Sequence, residues 1–249
     1  MLNAEAPHDD LFADVARRLQ DSFLKNPAVE ACLQELAPYA AARLGSEDRP
    51  LLCAMTVLRP KHPAITAAST PCARVLSQLE RKYGDGPGTT AMRTGGTVMI
   101  GDARQDRRWA EYAHAVVGLG CMSVLSIPVD LEGADGVLSL YSGQAEAYNA
   151  EVVAQAEAFV LQAAKGLTLA LRMVKLEETR DGLTAAMQTR TVIDLATGAI
   201  MAQNRCSQSD AFTLLRKASN ARNMKLRDVA AAVVSSVAGE EGVSTYFDE

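Results

Sequence analysis

The residues of this 249-residue chain best suited to chemistry are cations gathered near its end. Between Leu183 and Val237 stand Arg190, Arg205, Arg216, Lys217, Arg222, Lys225 and Arg227, opposed only by Asp194, Asp210 and Asp228, in a chain whose formal net charge is −5. A basic segment inside an otherwise acidic protein is the electrostatic footprint of a limited polyanion contact, such as a phosphate backbone. Ser219, Asn220 and Asn223 are interleaved with these cations. Their side chains offer donors and acceptors to unpaired bases. The same charges would also suit an ordinary solvated helix face.

Other reactive residue types are sparse. The histidines are His8, His62 and His114, and the cysteines Cys32, Cys53, Cys72, Cys121 and Cys206 form no CxxC pair. Wide, irregular spacing of an odd number of thiols suggests neither a zinc site nor a disulfide framework. Cys121 and His114 make a conceivable nucleophile and base. No orienting acid or oxyanion device accompanies them, so the expectation is that the chain is not an enzyme. Gly84, Gly86 and Gly88 cluster without the lysine of a phosphate-binding loop. Asp102 and Asp106 alone are a poor metal signal. Asp102, Trp109, Tyr112 and Cys121 are the candidates for a small-molecule site, with Trp109 and Tyr112 as aromatic walls.

The elements that must hold these residues fall into two regimes. Apolar residues make up 48% of the chain and charged residues 22%, an ordinary globular balance. No apolar run approaches the length of a membrane helix, and the start has no basic-then-apolar leader, so a cytoplasmic protein without membrane contact is expected. Helices are predicted over 9–25 and 28–44, strands over 51–58, 64–69 and 97–100, a short helix over 73–82, and a hairpin of 123–129 with 136–141 around Glu132-Gly-Ala-Asp-Gly136. Tyr83 to Gly88 reads as a turn, and the stretch holding Trp109 and Tyr112 as a polar loop. This order is α+β: an antiparallel sheet with flanking helices, packed on one side.

Proline is absent from Glu151 onward. Val160, Ala164, Leu167, Leu171 and Val174 alternate at spacings of four and three. Such a seam suits a parallel coiled coil joining two subunits, or a helix packed on its own domain. Gly182 is the expected hinge. Three amphipathic helices follow. The first, 183–203, turns Met187, Ile193, Ala196 and Ile200 inward. The second opens at a Ser207-Gln-Ser-Asp210 capping box and buries Ala211, Phe212, Leu215 and Ala218. The third starts near Lys225 and buries Leu226, Val229, Ala230, Val233 and Val237.

Here the residues carry a resemblance. Arg190, Ile193-Asp194, Ala196, Gly198, Ile200-Met201, then Ser209, Ala211-Phe212, Leu215-Arg216 and Ser219, then Leu226-Arg227-Asp228-Val229-Ala230 resemble the ANTAR module, a three-helix RNA-binding domain of transcription antiterminators. One departure is Thr197, where that family usually has lysine. The front of the chain is similar to GAF domains of the kind fused to ANTAR modules in actinobacteria. That similarity rests on Gly86-Pro87, Gly95, Val98, Ile100, Asp102, Arg108-Trp109, Leu119-Gly120, Ser123 to Pro128, and Gly136-Val137-Leu138 with Leu140-Tyr141. Gly88 stands where such relatives often have cysteine after Gly-Pro.

The resemblance implies a GAF-like sensor over residues 1–165, a helical linker over 166–182, an ANTAR-like all-α bundle over 183–238 and an acidic tail over 239–249. It implies a homodimeric, signal-responsive antitermination regulator binding stem-loops in nascent RNA through Arg190, Arg216, Lys217, Ser219, Asn220, Arg222, Asn223, Lys225 and Arg227. A small molecule would bind in the sensor, and no cofactor is named. The alternative is a DNA-binding transcription regulator with a small-molecule-sensing domain, because a basic three-helix module also suits a major groove.

Overall fold

The computed structural model describes residues 28–238 together with Asp14, Val15, Arg17 and Arg18. The tail over 239–249, and most of the helix expected over 9–25, lie outside the described residues. The chain divides into two compact units, Met1–Lys175 and Leu176–Glu249.

In the first unit, α1 (Val29–Leu44) leads into β1 (Leu51–Leu58) and β2 (Ile65–Ala68). Helices α2 (Pro71–Tyr83) and α3 (Pro87–Thr94) precede β3 (Val98–Ile100), and α4 (Ala110–Gly118) precedes the hairpin of β4 (Ser123–Leu131) and β5 (Ala134–Ser142). Helix α5 (Ala150–Asn204) follows. The strands form one antiparallel sheet in the order β2-β1-β5-β4-β3. The hairpin is tighter than the sequence suggests: Leu131 pairs with Ala134, leaving Glu132 and Gly133 as the turn, with Gly133 at φ 76°. Glycine adopts that angle at no steric cost, which suits a two-residue connection.

Strand alternation sorts side chains to two faces. Cys53, Met55 and Val57 of β1, Leu138 and Leu140 of β5, and Leu125, Ile127 and Val129 of β4 join one core with α1 and the start of α5. Ala54, Val124 and Tyr141 point the other way and pack with Leu76, Ile100, Tyr112, Val116 and Cys121. The sheet therefore carries helices on both faces, not on one. The difference comes from α3 and α4. The glycine-rich turn hid the start of α3, although Pro87 sits in its first helical turn, where a missing N–H costs nothing. The loop around Trp109 proves helical from Ala110.

The seam expected to join subunits is spent internally. Val160, Ala164, Leu167 and Leu171 are buried and Val174 packs beside them, all against the unit's own core. Helix α5 also runs through Gly182 without interruption, so the expected hinge is ordinary helix. The N–H and C=O ladder of the backbone, not side-chain packing, holds that segment, because every residue from Lys175 to Gln188 is exposed.

In the second unit the end of α5 packs with α6 (Gln208–Arg222) and α7 (Leu226–Ala238). Ala196, Ile200, Ala211, Leu215, Val229 and Ala230 form a small core. Three residues expected in it are exposed: Met187, Phe212 and Val237. Met187 lies more than two turns before Ala196, Val237 is in the last turn of α7, and Phe212 flanks the buried Ala211.

Among the described residues no atom outside the helix backbone lies within 4 Å of a Cβ added at Gly182. Gly182→Ala should therefore stabilise α5 by roughly 1 kcal/mol through helix propensity alone. Urea unfolding checks this, and a loss of stability would mean that the glycine conformation is used.

Candidate functional site

The polar residues of the second unit are positioned by a corner between α6 and α7. Ser207 caps α6, its Oγ accepting the Asp210 N–H at 3.2 Å and donating to the Asp210 carboxylate at 2.6 Å. The far end stops at Asn223, in the left-handed region at φ 50° and ψ 40°. Asparagine tolerates that region because its short amide bonds locally. The Met224 N–H reaches Ser219 O at 3.1 Å, and Ser219 Oγ donates to Met224 O at 2.6 Å. Ser219 is thus committed to shaping the corner.

Around this corner Arg216, Lys217, Asn220, Arg222, Asn223, Lys225 and Arg227 are all exposed. Arg216 and Asn220 stand four residues apart on one face of α6, and Asn223 follows as its C-cap. Arg216, Lys217, Arg222 and Lys225 have no ion pair among the described residues. Arg227 pairs with Asp228 at 3.1 Å, and Arg190 on α5 with Asp194 at 3.7 Å. Arg190 and Asp194 line a groove of about 540 Å³ with Ile193 and Phe212, so Arg190 belongs to the α5–α6 groove and not to the corner. Thr197 is buried, its hydroxyl donating to Ile193 O at 2.7 Å. A lysine there would have to carry its charge out past the core.

In the first unit Trp109, Tyr112 and Cys121 pack together in the core on the second face of the sheet, while Asp102 is engaged by its own loop. Asp102 accepts Arg104 N–H at 3.0 Å, Arg104 Nε at 2.9 Å and Gln105 Nε2 at 3.0 Å. The hydrogen bonds from Arg104 hold its carboxyl well below the usual carboxylate range. Asp106 is clamped in the same way by Arg108, whose guanidinium lies 4.6 Å from the Trp109 ring centre. Both carboxylates are consumed by their own loop. Tyr112 and Cys121 are sealed in the core, and burial pushes the Cys121 thiol up to about 12. His114 is exposed.

A cavity of about 130 Å³ lies instead against β1 and β5, lined by Thr56, Leu58, Met92, Val137, Ser139 and Tyr141 with Glu80 and Thr89 from α2 and α3. Glu80 is 7% exposed. Its carboxylate accepts the Gly88 N–H at 3.0 Å, the Thr89 N–H at 2.8 Å and Thr89 Oγ1 at 3.1 Å, which caps the start of α3. A Cβ at Gly88 would lie 3.0 Å and 3.1 Å from the Glu80 oxygens, which gives this position its glycine. The sequence reading does not reach Glu80. The signal was present: an acid four residues after Leu76, on the inward stripe of an amphipathic helix.

Burial raises the Glu80 pKa, the Gly88 and Thr89 hydrogen bonds oppose the shift, and Asp85 adds to it. A carboxyl with a raised native pKa binds more protons folded than unfolded, so stability falls as pH climbs from the ordinary glutamate value through the raised one. Glu80→Gln should remove that slope. Unfolding measured from pH 4 to 8 checks it, and a constant difference between the two proteins would refute the assignment.

A GAF-domain family model matches residues 26–168, and an ANTAR-domain model matches residues 181–234. No curated protein matches the chain. Similar solved structures include the N-acylhomoserine lactone dependent LuxR-family transcription factor CepR2 of Burkholderia cenocepacia, 19% identical, covering 67% of this chain and 99% of that one at a TM-score of 0.49. The GAF domain of a phosphoenolpyruvate-protein phosphotransferase from Coxiella burnetii is 18% identical, covering 70% and 99% at 0.47. Its counterpart from Acinetobacter is 15% identical, with the same coverage and score. Among the described residues no helix is long and apolar enough to cross a membrane.

Proposed function

The chain belongs to the GAF–ANTAR fusion family, a GAF sensor domain followed by an ANTAR domain, and from that premise we propose a cytoplasmic antitermination regulator that binds stem-loops in nascent RNA. The observation that carries the reading is the α6–α7 corner, where the exposed cations Arg216, Lys217, Arg222 and Lys225, without acidic partners among the described residues, are interleaved with exposed Asn220 and Asn223. Phosphates neutralised by these cations would supply affinity, and the amides would meet bases splayed from a loop. The reading assigns no catalytic step. A buried thiol with a raised pKa is a poor nucleophile, which leaves Cys121 a packing residue.

The reading includes a homodimer, and its seam lies elsewhere on α5 than the buried one. Leu169, Met173, Leu176, Leu183 and Met187 are exposed and follow a four-three spacing, with Arg180 occupying the slot between Leu176 and Leu183. Five apolar side chains in heptad register suit a second copy of the same helix, and a polar seam residue fixes register at some cost in stability. Two copies would present two RNA modules, which raises effective concentration for paired loops.

Two experiments test this. RNA co-purified with the intact chain should be lost on Arg216→Ala, Arg222→Ala and Lys225→Ala together, and the salt dependence of binding should flatten by about two to three log units per log salt. Equal RNA recovery by both proteins would overturn the reading, and preference for a duplex DNA competitor would favour a DNA-binding regulator. Leu176→Lys with Leu183→Lys should yield monomers by sedimentation and weaken binding to paired stem-loops by about a hundredfold. A dimer that survives both changes would remove α5 as the seam.

A further inference from the structure

We infer that the GAF cavity takes a small primary amine, bound as its ammonium ion between the Glu80 carboxylate and the Tyr141 hydroxyl. The inference rests on the reading of this domain as a small-molecule sensor and gives that sensor a ligand class. Three observations carry it.

The first is an uncompensated charge. Glu80 is a buried carboxylate held by three hydrogen bonds at the start of α3, yet no lysine, arginine or histidine lies within ion-pair distance among the described residues. Arg81, which also lines the cavity, is exposed. The neighbouring charge that acts on Glu80 is Asp85, of the same sign. Burying an anion is costly without a cation beside it, so a cationic ligand gains the attraction that the protein does not itself supply.

The second is an unmet polar atom. The Tyr141 side chain is 1% exposed and lines the cavity, and its hydroxyl, with Ser139 as its polar neighbour, makes no well-formed hydrogen bond among the described residues. Ser139 Oγ lies beside it but is engaged with Ser126 Oγ at 3.0 Å. Buried phenol hydroxyls are almost always partnered, and the free lone pairs of this one suit an N–H donor. The acceptors converge. The Cβ position that Gly88 leaves vacant is 3.0 Å from one Glu80 oxygen, 3.1 Å from the other and 3.3 Å from Ser139 Oγ, so these groups border one shared volume.

The third is size and lining. About 130 Å³ holds roughly four waters, well below the pockets of drug-sized ligands. Leu58, Met92 and Val137 leave room for a short apolar body behind a three-donor head.

The probe is n-butylammonium, with 1-butanol, butyrate and tetramethylammonium as controls, measured by thermal shift and calorimetry on the full chain. Wild-type protein should be stabilised saturably by n-butylammonium and by none of the controls. Glu80→Gln should weaken binding about tenfold or more, and Tyr141→Phe by about threefold, with circular dichroism confirming that both variants fold. Equal binding by wild type and Glu80→Gln, a stronger response to the alcohol, butyrate or tetramethylammonium, or no response to any probe would each overturn the amine assignment. A small-molecule cell extract separates the two levels. Stabilisation by extract without stabilisation by the amine would leave the sensing reading intact, whereas silence from both would remove both.

Discussion

The apolar side chains of α5 set what the rest of the protein can do. On one face, up to Val174, they pack into the sheet domain, where Phe159, Leu167 and their neighbours complete a core that α1 alone would leave open. On the other face Leu169, Met173, Leu176, Leu183 and Met187 are exposed. Most helical stability in proteins comes from a packed face, and an exposed stretch held by propensity alone is marginal in water. This stretch of α5 thus leaves apolar surface that a packed partner would stabilise.

The two units treat charge in opposite ways. In the GAF domain Asp102 is paired with Arg104 and Asp106 with Arg108, while Glu80 has hydrogen bonds at the start of α3 but no cation beside it among the described residues. In the ANTAR domain the acids are few and committed, Asp194 to Arg190, Asp210 to Ser207 and Asp228 to Arg227. Arg216, Lys217, Arg222 and Lys225 have no acidic partner among the described residues. Free surface charge contributes little to folding and much to steering a polyanion. The first unit thus holds a small, mostly apolar cavity with a buried carboxylate in its lining, and the second an exposed basic corner.

Much of this was legible in the residues. β1 was read to its limits because eight mostly apolar residues bounded by proline leave few other choices, and the Ser207 cap because its hydroxyl and Asp210 stand at the required spacing. Periodicity was less informative about partners. Val160 to Val174 has the spacing of a subunit seam, and the same spacing serves a helix laid on its own sheet, so only the structure distinguishes them. Helices α3 and α4 escaped because proline and glycine at Pro87 and Gly88 signal a turn as readily as a helix start. The engagement of a candidate ligand residue within its own loop escaped the sequence for a related reason. Asp102 has the composition of a binding residue, but its acceptor capacity is met by hydrogen bonds from residues two and three positions later, a local closure that residue type does not reveal.

The contact between the α6–α7 corner and RNA is most directly examined by ultraviolet cross-linking of the intact protein to its co-purified RNA, followed by peptide mapping. The corner geometry requires adducts within 216–227, with protection of the same peptides from proteolysis. Adducts confined to residues 28–171, or a corner that stays uncross-linked while RNA remains bound, would contradict it.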